Sequence, residues 1–149
     1  DGQGRRVSTS APEKKRLGVQ ILTPEGSVHD GEAAMVIAPS VGGELGILPR
    51  HVPLIVQLRA GETRLKLLDE TEVVMATTGG YMSVEDDRVL IMVEQAELAG
   101  EIDRGRAEEA LQRAEDALAA AAGDEVATRS AEADRKRAEN RLKVVDKQS

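Results

Sequence analysis

Two arginines near the end of the chain, Arg137 and Arg141, have the type and spacing to bind an anion. They are four residues apart, so on a helix they share a face and repel each other. Arg141 has no acidic residue three or four positions away, which predicts that the pair lacks local partners. A phosphate group or the carboxylates of a partner protein would relieve the repulsion, because guanidinium groups bind both through paired hydrogen bonds. Two solvated arginines on a polar face explain the pattern equally well.

Asp103 begins a second group of charged residues. We predict that it is a helix N-cap, whose side chain accepts hydrogen bonds from free backbone amides. Arg106 and Arg113 follow, seven residues apart on one face of the same helix. Both have acidic residues at helical spacing, so ordinary surface ion pairs account for them without a ligand.

The run GGELGILPRHVPLIVQL, residues 42–58, raises two other possibilities, a phosphate-binding loop and a catalytic histidine. A P-loop needs Lys and Ser or Thr after its second glycine, but Gly46 is followed by Ile47 and Leu48. His51 has no Ser, Thr or Cys nucleophile near it in the sequence, so an enzyme built on it would need distant parts. We interpret the run as a rigid, proline-braced loop between strands, with no catalytic residue.

The composition excludes several classes of function. A net charge of −7 and a single aromatic residue, Tyr81, argue against a basic nucleic-acid surface and against base stacking. Without cysteine there is no thiol nucleophile or Cys-based zinc site, and two histidines are too few for a His-rich metal centre. No apolar run reaches the ~18 residues that a membrane-spanning helix needs.

Two periodicities divide the chain. From residue 17 to 100, short β-branched runs separated by Gly, Pro and Asp predict an all-β sandwich of half-buried antiparallel strands. From residue 101 to 149, alanines at three- and four-residue steps predict an antiparallel two-helix hairpin that turns at Gly123 and Asp124. Residues 1–16 are polar, lack a starting Met, and are predicted to form a flexible arm.

Small residues line the seam of the predicted hairpin. The expected seam residues are Ala107, Ala110, Ala114, Ala117 and Ala121 on the first helix and Ala127, Ala131, Ala138, Leu142 and Val145 on the second. A buried methyl group contributes about 0.8 kcal/mol, well below the contribution of a leucine. We therefore expect the hairpin to be marginal by itself and able to move, although a permanently folded tail fits the composition equally.

Five segments together resemble one family, the epsilon subunit of bacterial F-type ATP synthases. They are TPEG (23–26), GELGILPRHVPL (43–54), GGYMSV (79–84), IDRGRAEEAL (102–111) and RAENRL (137–142). One departure is Arg50, at a position where the family usually has glycine. The resemblance covers residues 17–145 and implies a β-sandwich of about ten strands followed by a helical hairpin.

The resemblance also implies a non-catalytic subunit of the rotor stalk. In the family the sandwich binds the gamma subunit and rests on the c-ring, where we expect Glu44, Leu45, Gly46 and His51 to lie. The family's hairpin changes between a compact state on the sandwich and an extended state that reaches the alpha and beta subunits and inhibits ATP hydrolysis. The expected location is peripheral, on the cytoplasmic face of the bacterial plasma membrane, in a proton-translocating complex.

In some members of the family, ATP binds the compact hairpin through a motif of the form Ile/Leu-Asp-x-x-Arg-Ala. The resemblance assigns a regulatory ATP site here to Glu97, Ile102, Asp103, Arg106, Ala107, Arg113, Arg137 and Arg141. ATP bound between the helices would favour the compact state through its higher affinity for that state. No other cofactor and no metal are expected. The alternative is a free-standing ATP-sensing protein that uses the same hairpin.

Overall fold

Ten strands and two helices make up the computed structural model, which describes residues 15–148. The strands are β1 Leu17–Thr23, β2 Gly26–Ala33, β3 Met35–Ser40, β4 Gly43–Ile47, β5 Leu54–Leu58, β6 Gly61–Lys66, β7 Glu72–Thr77, β8 Gly80–Glu85, β9 Arg88–Val93 and β10 Ala96–Leu98. A short 3-10 turn, Ala99–Glu101, leads to the helices α1 Arg104–Ala120 and α2 Glu125–Gln148. The predicted all-β sandwich followed by a two-helix hairpin is confirmed. Residues 1–14 of the predicted arm lie outside the described residues.

The strands form one continuous hydrogen-bonded sheet in the order β10-β7-β6-β3-β5-β8-β9-β1-β2, with β4 paired to β3. Strand β1 runs parallel to β9, from Gly18 opposite Arg88 to Leu22 opposite Met92. The prediction of antiparallel strands is wrong for this pair. An alternating pattern reports which face of a strand is buried, but it carries no information about the direction of the neighbouring strand.

The sandwich core contains aliphatic and methionine side chains, as a chain without Phe or Trp requires. Ile21, Leu65 and Met82 are among its fully buried members, and each comes from a different strand. All of the buried residues in this core cluster lie between Leu17 and Val93. The helices are therefore not part of the main core.

Side-chain hydrogen bonds cap the N-termini of both helices, and a glycine follows the end of α1. Asp103 Oδ1 accepts a hydrogen bond of 3.0 Å from the backbone N–H of Arg106, which confirms the predicted N-cap of α1. Gly123 has a φ of +87°, and Asp124 Oδ1 accepts from the N–H of Ala127 at 3.0 Å. The predicted turn between the helices is thus confirmed.

The seam between α1 and α2 consists of small side chains. Five of the ten predicted seam residues are buried: Ala107, Ala114, Ala121, Ala131 and Ala138. Near the end of α2 the buried residue is Val144, whereas Val145 is half-buried. Val144 packs on the sandwich, in a cluster with Val74 and Ile102, and Val145 packs against the same cluster.

Helix α2 holds the hairpin on the sheet. Besides the Val144 cluster, Asn140 donates from Nδ2 to the carbonyl oxygens of Gly61 at 3.0 Å and Thr77 at 3.3 Å. These carbonyls lie at the start of β6 and the end of β7, so one amide group bridges two strands. The structure thus has the hairpin folded against the sandwich. Within residues 15–148, neither helix has the length and apolar character needed to cross a bilayer.

Candidate functional site

A cleft of about 740 Å³ lies between the sandwich and the hairpin. Its walls come from the segment Thr23–Val28 of the first strand pair, from Glu94–Glu97, and from the facing sides of both helices. Strands β2 and β10 are the two ends of the strand order, and residues from both line the cleft. Its volume is in the range of small-ligand sites.

Three arginines line this cleft from two different helices. Arg113 comes from α1, and Arg137 and Arg141 come from α2. Glu97, on β10, lines it as well. Four of the eight residues assigned to an ATP site by resemblance are therefore brought together, although they come from three separate elements.

Arg141 forms an ion pair across the boundary between hairpin and sandwich. Its Nε donates to Glu97 Oε1 at 2.7 Å, and its Nη2 donates to Glu97 Oε2 at 3.2 Å. The prediction that this arginine has no partner at helical spacing is confirmed, but it is paired through another element of the fold. Helical spacing could not reveal the partner, because Glu97 lies 44 residues earlier in the chain.

Arg137 also has a partner, the carboxylate of Asp134 one helical turn earlier. For Arg137 the prediction of no local partner is wrong, and the signal was present in the sequence as an acidic residue at i−3. Asp134 also lines the cleft. Sequence reasoning did not single it out as a site residue.

The other four residues of the assigned ATP site lie at the start of α1, outside the lining of the cleft. Ile102 belongs to the cluster with Val144, and Ala107 is fully buried. Asp103 and Arg106 are joined by the N-cap hydrogen bond. These residues set the start and the orientation of α1, and a direct role for them in nucleotide binding stays a prediction.

The run 42–58 is not one loop. Glu44, Leu45 and Gly46 lie on strand β4, paired with β3, and the loop proper is limited to residues 48–53 between β4 and β5. Strand β4 has a short alternating pattern, but its glycines are typical of turns and led to the interpretation of a loop. Glu44 Oε1 lies 3.7 Å from Arg64 Nη2 on β6, which also pairs with β3.

His51 lies in the loop 48–53. Its Nδ1 is 2.7 Å from the carbonyl oxygen of Val52, and its backbone N–H donates to Leu48 O at 3.2 Å. Arg50 has a φ of +70°, a left-handed conformation that glycine adopts more easily, and its N–H donates to Asp87 Oδ1 at 2.6 Å. Leu48 and Val52 beside it are 55% and 69% exposed. This loop therefore presents apolar side chains to solvent beside a half-buried histidine.

Across the described residues, 15–148, no three His, Asp or Glu side chains are grouped closely enough to hold a metal ion.

Two family models match the chain and together cover nearly all of it. The beta-sandwich domain of the ATP synthase delta/epsilon chain matches residues 16–99, and the long alpha-helix domain of the same chain matches residues 101–146. The chain belongs to the ATP synthase delta/epsilon family. The resemblance inferred from the sequence motifs is thereby confirmed.

Bacterial members of this family align with the chain over most of its length. The ATP synthase epsilon chain of Halalkalibacterium halodurans is 44% identical over 128 residues, which covers 86% of this chain and 96% of the relative. That of Alkalihalophilus pseudofirmus is 46% identical over 131 residues, 88% of this chain and 98% of the relative.

Solved structures share the fold at much lower identity. A chain of the Euglena gracilis mitochondrial ATP synthase, OSCP/F1/c-ring assembly, aligns with a TM-score of 0.67 and 20% identity over 98% of this chain and 86% of its own. A chain of the Tetrahymena thermophila central stalk/c-ring assembly aligns with a TM-score of 0.60 and 14% identity over 90% of this chain and 99% of its own.

The cleft of this delta/epsilon family member lies between the two domains that the family models define. Glu97 belongs to the beta-sandwich match, and the three arginines belong to the helical match. A ligand in the cleft would contact both domains at once, so its binding would depend on their relative position.

Proposed function

We propose that the chain is the epsilon subunit of a bacterial F-type ATP synthase and a non-catalytic part of its central stalk. The observation that carries the proposal is the near full-length likeness to bacterial epsilon chains at 44% and 46% identity. The assemblies that hold the chains of similar fold, an OSCP/F1/c-ring assembly and a central stalk/c-ring assembly, support the same position.

The proposed partners of the sandwich are the gamma subunit and the c-ring. Glu44, Leu45 and Gly46 on β4 and His51 in the following loop are the residues assigned to this contact. The exposed Leu48 and Val52 beside His51 support it, because neighbouring exposed apolar side chains are typical of protein contacts. The chain would then be peripheral to the membrane, on the cytoplasmic face of the bacterial plasma membrane, within a proton-translocating complex.

The hairpin is proposed to regulate ATP hydrolysis by changing its position. In the compact state it lies on the sandwich, and in an extended state it reaches the alpha and beta subunits of the catalytic head and inhibits hydrolysis. A seam of alanines and a small docking cluster support this, because little apolar surface has to be exposed when the hairpin leaves the sandwich.

ATP is the proposed regulatory ligand of the compact state. Arg113 on α1 and the two arginines on α2 line one cleft, so the phosphates of a bound nucleotide would link both helices. A ligand that binds the compact arrangement more tightly than the extended one shifts the population toward it. ATP would therefore release the inhibition.

Deleting the residues from Ile102 onward tests the regulatory role. In the assembled complex, we expect the deletion to leave the subunits together and to raise the rate of ATP hydrolysis. The rate is measured in a coupled ATPase assay and compared with the complex that holds the full chain. A rate unchanged by the deletion would reject the inhibitory function.

Nucleotide binding is tested by calorimetric titration of ATP into the isolated full chain. We expect saturable binding that Arg137→Ala and Arg141→Ala each weaken, with Arg129→Ala as a matched control because Arg129 lies on α2 outside the cleft. Absence of saturable binding at millimolar ATP would leave the docking role alone. Binding of ATP without binding of gamma would instead favour the free-standing ATP sensor.

A further inference from the structure

Both arginines that α2 contributes to the cleft are already bound by carboxylates of the same chain. Glu97 accepts two hydrogen bonds from Arg141, and Asp134 accepts from Arg137. A polyphosphate entering the cleft would also use guanidinium N–H groups as donors, and part of each guanidinium already bonds a carboxylate. Each arginine therefore has fewer of its five N–H groups available to an anion than an unpaired arginine would have, and the carboxylate competes for the guanidinium.

The two ion pairs differ in what they connect. Glu97 on β10 and Arg141 on α2 join the sandwich to the hairpin, so their pair also stabilises the docked position of α2. Asp134 and Arg137 are three residues apart on one helix, so their pair connects no separate elements. Removing the Asp134 carboxylate should leave the docking of the hairpin intact.

The lining of the cleft has a slight excess of negative charge. Among residues 15–148, four carboxylates, those of Glu25, Glu94, Glu97 and Asp134, line the cleft with three guanidinium groups. A polyphosphate is therefore attracted by the arginines and repelled by the carboxylates, and the balance sets its affinity. Of the four acids, Asp134 is the one that lies on α2 and bonds a cleft arginine from within the same helix.

We propose that Asp134 is an internal competitor of the nucleotide, which occupies Arg137 and lowers the affinity of the cleft for the polyphosphate of a nucleoside triphosphate. The inference rests on the proposed ATP site and adds the residue that sets the ATP concentration to which this site responds. Asp134 raises the ATP concentration at which the cleft fills. The compact state would then be stabilised only when the nucleotide is abundant.

The variant Asp134→Asn removes the charge and keeps the size of the side chain. At low ionic strength, we expect the full chain carrying it to bind ATP about threefold to tenfold more tightly, because a carboxylate beside the phosphates is gone and Arg137 is released. The gain should decrease as salt is added, since screening weakens charge–charge interactions. Calorimetric titration at two salt concentrations measures both effects.

Asp116→Asn is the matched control. Asp116 is an exposed aspartate on α1 whose Oδ1 accepts from Gln112 Nε2 at 3.0 Å, and it does not line the cleft. This variant changes the net charge by the same amount as Asp134→Asn, and we expect its ATP affinity to equal that of the unaltered chain. Circular dichroism of both variants verifies that the helical content is unchanged.

A double variant identifies Arg137 as the residue through which Asp134 acts. With Arg137→Ala in place, Asp134→Asn should raise the affinity by a smaller factor than it does alone, because no arginine is left to release. If Asp134→Asn raised the ATP affinity by the same factor with and without Arg137→Ala, the proposed competition for Arg137 would be overturned.

Two outcomes separate this inference from the function on which it rests. If the unaltered chain binds ATP and Asp134→Asn binds it no more tightly than Asp116→Asn does, the inference is wrong and the ATP site stands. If neither the unaltered chain nor Asp134→Asn binds ATP at millimolar concentration, the ATP site and the inference are both rejected.

Discussion

At Gly80, strand β8 passes so close to β9 that a side-chain carbon built on the glycine would lie 2.0 Å from the carbonyl oxygen of Met92. This oxygen is part of the backbone and cannot move aside without disturbing the sheet. We expect Gly80→Ala to lower the free energy of unfolding by ~3 kcal/mol, measured by urea denaturation.

Gly18→Ala is the matched comparison for Gly80→Ala. Gly18 also lies on a strand, but a carbon built there has no neighbouring atom within 4 Å. We expect its free energy of unfolding to change by less than about 0.5 kcal/mol. If Gly18→Ala lowered the free energy of unfolding as much as Gly80→Ala does, the steric explanation would be contradicted.

Individual residues show what the sequence could reveal about the site. The spacing of Arg137 and Arg141 placed them on one face of α2, and both do line the cleft. The partner of Arg141 could not be found, because Glu97 is brought to it only by the docking of α2 beside β10. Asp134 could have been found from helical spacing alone.

At the scale of single elements, Asn140 makes a polar contact that holds α2 on the sheet, in addition to the Arg141–Glu97 ion pair. Its amide donates to two half-buried carbonyl groups, so Asn140→Ala removes two hydrogen bonds and leaves both acceptors without this donor. We expect the docking of α2 to weaken by about 1–2 kcal/mol. Hydrogen exchange of the α2 amides should become faster while exchange in the sandwich core is unchanged.

Glu139→Ala serves as the control for Asn140→Ala, because Glu139 is the exposed neighbour on the same helix. Its α2 amides should exchange at the rate of the unaltered chain. If Asn140→Ala behaved in the same way as Glu139→Ala, the amide bridge would not contribute to docking.

The elements themselves differ in how far the sequence predicted them. The two helices, their caps and the turn at Gly123 followed from local signals, namely alanine periodicity, an Asp before the helix and a glycine after it. Strand β4 was interpreted as part of a loop, because its glycines outweighed its short alternating pattern. The parallel pairing of β1 with β9 depends on long-range topology, which no local pattern encodes.

For the molecule as a whole, the division of the core predicts that the sandwich folds without the hairpin. The main core cluster contains residues from the strands alone, whereas the docking cluster is small. We expect a chain ending at Glu101 to unfold cooperatively and to show a β-type circular dichroism spectrum. The melting temperature of this shortened chain should be modestly lower than that of the full chain, because Val74 and Ala76 no longer pack against Val144.

The outcome that would contradict this independence is a chain ending at Glu101 that binds hydrophobic dyes and melts without a cooperative transition. The full chain, measured under the same conditions, is the reference. Such a result would also change how a higher hydrolysis rate after deletion of the hairpin is interpreted, since an unfolded sandwich could not dock.

The parallel pairing of β1 with β9 determines when the sandwich can form during synthesis on the ribosome. Strand β1 is made early, but it lies between β2 and β9, and β9 ends at Val93. Until that residue has emerged, one edge of β1 stays open to other chains, which is a common start of aggregation. The helical hairpin is made afterwards and forms mostly local contacts, so it can fold quickly onto a finished surface. Nascent chains stalled before Val93 should therefore be the ones that need chaperones.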